Sequence, residues 1–266
     1  MTWRLRNQDI RFLLGTFAPN VNPDEVAELD EAWLEEVLES DALADQILQA
    51  PHTLLGISPW LFFNVLLRKV RRDLAGETYT RERRARQQLV IFDTDKAIEL
   101  LDQAPIRDYL AALLASFTRI ASMTVRVNIG PGMWRRYRTN DLDVEGLIRY
   151  AEAVDEPLRF EPYKRIGDVC LFLAGMFPEY LENQYRYPLS RQVRPGARGK
   201  VLQSREDYER FGRAFYEMAA EHERAQVGGL DEVLTTLSEA FLVAEKPLAF
   251  LSNRYLWQTR HQLFGL

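Results

Sequence analysis

Along most of the chain apolar residues recur at helical spacing, and the few stretches that break this period stand out. In "NPDEVAELDEAWLEEVLES", Val26, Leu29, Trp33 and Val37 share one face, predicting a helix behind an Asn22 cap with Pro23 in first position. Its outer face is acidic. A short helix from Asp41 follows. "SPWLFFNVLLRKVRRDLAG" then predicts a helix capped by Ser58, apolar nearly all round in its first half. That half should be buried, while Arg68, Lys69, Arg71 and Arg72 suit the negative end of the helix dipole. "LVIF", residues 89–92, has the length and residue types of a short strand. "DTDKAIELLDQ" begins another helix, which Pro105 ends. Next comes "IRDYLAALLASFTRI", with Ile106, Tyr109, Leu110, Leu113, Leu114, Phe117 and Ile120 as one apolar stripe.

The period changes to two at Thr124. Residues 124–129 alternate, Gly130-Pro131-Gly132 turn, and the pattern resumes at Met133, which predicts a β-hairpin with a three-residue connection. Helices are expected at about 141–154, 163–184 (kinked or split by Pro178), 204–226, 230–244 and 246–262. The Pro-, Gly- and Arg-rich piece 188–203 reads as a loop. The expected fold is therefore mainly α, with a short strand and one β-hairpin. The element order resembles a winged helix in the N-terminal half (1–155), followed by an all-helical C-terminal half (156–266). A single compact domain is the alternative.

Composition adds little to this picture, and charge adds more. With 47% apolar and 27% charged residues the chain reads as globular rather than disordered. Its longest apolar runs are too short to span a bilayer, and Asp9 and Arg11 interrupt the first apolar stretch, so neither membrane insertion nor a signal peptide is expected. The lone Cys170 fits a reduced, cytoplasmic setting. The formal net charge is −5, yet residues 1–50 carry −8 and residues 51–139 carry +7. Such blocks either present a surface to a partner or neutralise one another on folding.

Two basic features are candidate nucleic-acid contacts. The first is the segment 68–86, with eight basic and three acidic residues, including Arg83, Arg84 and Arg86. The second is the hairpin. Pairing Ile129 with Met133 places Arg126, Arg136 and Arg138 on one face with Trp134, and Val125, Val127 and Tyr137 on the other. Arginine opposite arginine on a sheet is unfavourable without compensation by solvent, carboxylates or a polyanion. Guanidinium groups grip phosphate and a ring stacks on a base, so DNA or RNA is the first-choice partner. The alternative is that the acidic 23–39 helix packs on the basic region and cancels it, or that these faces are simply solvated.

"GDVCLFLAGMFP" places Asp168 in an otherwise apolar run, three residues after Arg165 and near several tyrosines. Arg165, Asp168 and Tyr180 are a candidate pocket, although such an Asp is more often a cap or a paired core charge. This segment resembles a group of prokaryotic helical proteins sharing GD-x-x-LFLAG-x-FP. The resemblance covers mainly the C-terminal half and implies no activity. His52, His222 and His261 have no partners at metal-ligand spacing and no phosphate-binding glycine loop occurs, so neither metal nor cofactor is expected. The leading expectation is a non-catalytic nucleic-acid-binding protein. Next comes a protein-interaction or scaffold subunit that meets a partner or a second copy, and third an enzyme using the Asp168 region.

Overall fold

The computed structural model describes residues 5–21, 30–49, 56–77, 94–118, 122–130, 133–140, 142–185, 202 and 204–265, by backbone alone over 122–140 and 182–185. The strand expected at 89–92, the helix start at 22–29, Arg83, Arg84 and Arg86, and the loop from 188 to 201 lie outside the described residues. The chain divides into two compact units, Met1–Thr118 and Arg119–Leu266.

The first unit contains α1 (Asn7–Phe17), α2 (Glu31–Glu39), α3 (Asp41–Gln49), α4 (Pro59–Glu77), α5 (Thr94–Asp102) and α6 (Ala104–Phe117). At its centre is α4, which packs against α6, α5, α2 and α3. Its residues from Trp60 to Leu67 are all buried, as their apolar run requires. Each fully buried Leu or Phe there contributes roughly 1.5–3 kcal/mol. The Ser58 hydroxyl accepts the Leu61 amide at 3.1 Å and so caps α4. Buried Asp9 accepts the Ser58 amide at 2.5 Å and the Arg6 amide at 2.8 Å, tying α1 to the start of α4.

In the second unit, β1 (Ser122–Gly130) and β2 (Met133–Asn140) form an antiparallel pair, and β2 lies beside α7 (Val144–Ala153). After a 3₁₀ turn at Glu156–Leu158, the elements are α8 (Phe160–Met176), α9 (Pro178–Tyr185), α10 (Arg205–Ala220), α11 (Glu223–Gly228), α12 (Asp231–Glu239), α13 (Phe241–Arg254) and α14 (Arg260–Phe264). The core helix is α8, buried from Ile166 through Met176 and packed by α10, α13 and α7. Its glycines make this close approach feasible. A Cβ at Gly167 would lie 2.5 Å from the Tyr216 ring, and one at Gly175 would lie 2.6 Å from Leu248 Cβ.

The winged-helix-like N-terminal half is overturned. Among the described residues the first unit is helical throughout, and the hairpin belongs to the second unit beside α7 rather than to the three helices that precede it. Element order could not settle this, because a hairpin's packing partner is chosen by tertiary contacts.

Smaller differences have local causes. Gly130, not Ile129, pairs with Met133, so Ile129 is an extra residue in β1, a bulge beside a strand glycine. The break expected between residues 244 and 246 falls instead at Ala240, and Pro247 lies inside α13. An interior proline costs about 3 kcal/mol, and burial of Phe241, Ala244, Leu248 and Leu251 along that helix offsets it. Arg107, a charged residue at the start of α6, is only 4% exposed.

Candidate functional site

The hairpin register fixes which residues share a face. Arg126 pairs with Arg136, Thr124 with Arg138 and Asn128 with Trp134. Alternation therefore sets Arg126, Arg136, Arg138 and Trp134 on one side, and Val125, Val127, Tyr137 and Arg135 on the other. The bulge at Ile129 lies beyond the last of these pairs, toward the turn, and leaves their facing unchanged. Between residues 122 and 140 there are four arginines and no Asp or Glu. Any compensation for the facing arginines must come from outside the hairpin.

The basic end of α4 is different. Arg68 is 1% exposed. Its Nη1 donates to Glu35 and Glu39 of α2, both at 2.7 Å, its Nη2 to Glu35 at 3.2 Å, and its Nε to Asn64 at 3.0 Å. Asn64 in turn donates to Asp108 at 2.8 Å. Arg71 meets Asp102 at 2.6 Å and Glu39 at 3.1 Å, and Arg72 meets Glu39 and Asp41 at 2.9 Å. Lys69 lies 3.5 Å from Asp41 and 3.6 Å from Asp45. Burial pushes the Glu39 carboxyl up, but bonds and charge from Arg68, Arg71 and Arg72 prevail and hold it below the ordinary range. Asp41 is also held low, chiefly by its bond to Arg72. The four cations of this half of the basic segment are therefore answered within the fold.

Arg107 lies near this cluster without a carboxylate. Its Nη1 donates to Leu101 O at 2.8 Å, closing the last turn of α5, while its Nε has no partner. Burial, followed by the charge of Arg68, lowers its basicity.

In the candidate pocket, Asp168 is buried on α8 and accepts from Lys164 Nζ at 2.7 Å and the Tyr216 hydroxyl at 2.9 Å. Lys164 lies four residues before Asp168 on the same helix, and Arg165 beside it is half-buried. Tyr180 is exposed on α9. An open groove of about 360 Å³ lies along α10, bordered by Glu209, Arg213, Glu217, Ser238 and Leu242.

The second unit also buries a charge that the sequence pattern did not single out. Glu245 on α13 is 2% exposed, receives Arg205 Nη2 at 2.5 Å, and its Oε1 has no hydrogen-bond partner. Burial pushes its carboxyl up to about 7, against the opposing pull of Arg205. Its signal in the sequence was the one that marked Asp168, an acid inside an apolar run, here "FLVAEKPLAFL". His222 is structural, its Nδ1 accepting the Arg224 amide at 3.1 Å to cap α11. Among the described residues no cluster of His, Cys, Asp and Glu has the makings of a metal site, and no helix is long and apolar enough to cross a membrane. No family model matches the chain, and neither a curated protein nor a solved structure matches it.

Proposed function

We infer that the protein is a non-catalytic binder of polyanions, with nucleic acid as the first-choice ligand, acting through the hairpin face of Arg126, Arg136, Arg138 and Trp134. One observation carries this reading. The register sets three arginines on one side of a ribbon whose sequence contains no carboxylate. Such a face favours a ligand that supplies negative charge along a line, as a phosphate backbone does. The arginines hold phosphate and Trp134 offers a ring on which a base stacks. The basic end of α4 has no part in this reading, because α2 and α3 already meet its charge.

The test is fluorescence anisotropy with duplex DNA and single-stranded RNA at about 50 and 200 mM salt. Wild-type protein is compared with the Arg126→Ala, Arg136→Ala, Arg138→Ala triple variant. If three phosphates are engaged, affinity falls roughly 40-fold between the two salts, and the variant loses most of that slope. Absence of binding to both probes at low salt removes the reading. A salt slope retained by the triple variant moves the contact away from the hairpin.

A further inference from the structure

We propose that Glu245 and Arg205 form a proton-controlled latch holding the first turn of α10 against α13. The carboxylate sits where water does not reach. It is 2% exposed, with Oε2 bonded to Arg205 and Oε1 bonded to nothing. Its helix cannot yield easily. At Gly175, α8 presses so closely on α13 that an added Cβ would meet Leu248 at 2.6 Å and the Glu245 carbonyl oxygen at 3.4 Å. The arginine is the mobile partner. It is 42% exposed and opens α10, so its positive charge lies at the positive end of that helix's dipole. Among the described residues two carboxylates hold it there: Glu245, and Glu209 at 2.9 Å from its Nε.

The other groups facing the carboxylate set the direction of the switch. From α10, Glu209 adds negative charge that favours protonation, and from α13 Lys246 opposes it. From α8, Cys170 faces it as a buried neutral thiol, pushed up by burial and by the carboxylate itself. When Glu245 takes up a proton the charge that retains Arg205 disappears. The arginine then keeps only its bond to Glu209, can turn to solvent, and the first turn of α10 loosens from α13. When Glu245 ionises, the buried charge has Arg205 as its one bonded partner and the latch closes. Near neutral pH both states are populated, because burial sets the carboxyl at about 7.

The test is hydrogen exchange of the full chain at pH 6 and pH 8, read on peptides covering residues 204–211 and corrected for the intrinsic exchange rate. Over that interval the ionised fraction of such a group changes from roughly one-tenth to nine-tenths, so wild-type opening of this segment is expected to be about tenfold greater at pH 6. Glu245→Gln, which keeps the shape and removes the titration, should show the more open behaviour at both pH values. Arg205→Gln should do likewise, and should raise the midpoint of the Glu245 carboxyl ¹³C titration by about a unit or more. Wild-type exchange that does not change between pH 6 and 8 overturns the latch. So does a pH response that persists in Glu245→Gln, or a Glu245 midpoint unmoved by Arg205→Gln.

Discussion

Arg68 in the first unit and Glu245 in the second are both nearly solvent-free charges, but the fold treats them differently. Arg68 presents a planar fork of donors, and its partners Glu35, Glu39 and Asn64 converge from α2 and α4. Glu35 and Glu39 keep contact with water, so the cost of desolvation falls mainly on the arginine. Glu245 receives a single arginine on one oxygen, and the other oxygen has no partner. The comparison teaches that burial alone does not decide a charge's fate. The number of partners and their access to solvent do. Arg68 is a fully bonded structural pin. Glu245 lies close to the point of giving up its charge.

The largest effect should come from stranding the pin. Glu35→Ala combined with Glu39→Ala leaves a buried guanidinium with neither carboxylate, and is expected to cost about 4 kcal/mol in urea denaturation. Arg68→Met should cost less, about 2–3 kcal/mol, because the carboxylates it abandons can turn to water. Equal costs would mean that solvent access does not set the asymmetry.

The second prediction uses pH, and its sign differs between the units. Glu39 and Asp41 are held low, so their stabilisation is present above the ordinary carboxylate range and is lost as pH falls through their lowered values. Glu245 is raised from 4.5 to about 7. Its folded state binds the extra proton, so its contribution to stability is fully present below 4.5 and is lost as pH rises through 7. The decline is about 3 kcal/mol, read as the wild-type loss that Glu245→Gln does not share. A wild-type profile matching that of the variant would return Glu245 to an ordinary carboxylate.

Third, Gly175→Ala should wedge α8 from α13 and cost about 2 kcal/mol by overpacking. It should also flatten the Glu245 pH dependence by admitting water. The smallest effect belongs to the hairpin. The triple arginine-to-alanine variant is expected to alter stability by no more than about 0.5 kcal/mol, since surface substitutions seldom do more. A loss comparable to that of Arg68→Met would show that these arginines pin the fold as α4's do.

Much of the architecture could be read from the pattern of residues. Ser58 and Pro59 mark the start of α4, the apolar run behind them is buried, and Pro178 separates α8 from α9. The hairpin pairs Arg126 with Arg136 and Thr124 with Arg138, because turn residues and strand alternation constrain register locally. Of the two readings offered for the acidic and basic blocks, the described part of the fold takes the neutralising one at α4. The candidate sites were less legible. Nothing in the local sequence marks Arg107 for burial, yet it is 4% exposed and donates to Leu101 O at the end of α5. Glu245 and Asp168 carry the same signal, a charge within apolar sequence, but end differently. Tyr216 and Lys164 bond to Asp168, whereas one oxygen of Glu245 meets no partner.

By itself the sequence determined the elements and their buried faces, because helical and strand periods act over a few residues and each amphipathic face must find cover. It also showed the acidic and basic blocks, but left open whether they would meet one another or a partner. Only the tertiary structure decided which carboxylate met which arginine, and that the hairpin belongs to the second unit, beside α7. It alone also left a carboxylate oxygen of Glu245 without a partner. Those outcomes depend on contacts between residues far apart in the chain, such as Arg205 and Glu245, 40 positions apart. No local period encodes such a pairing.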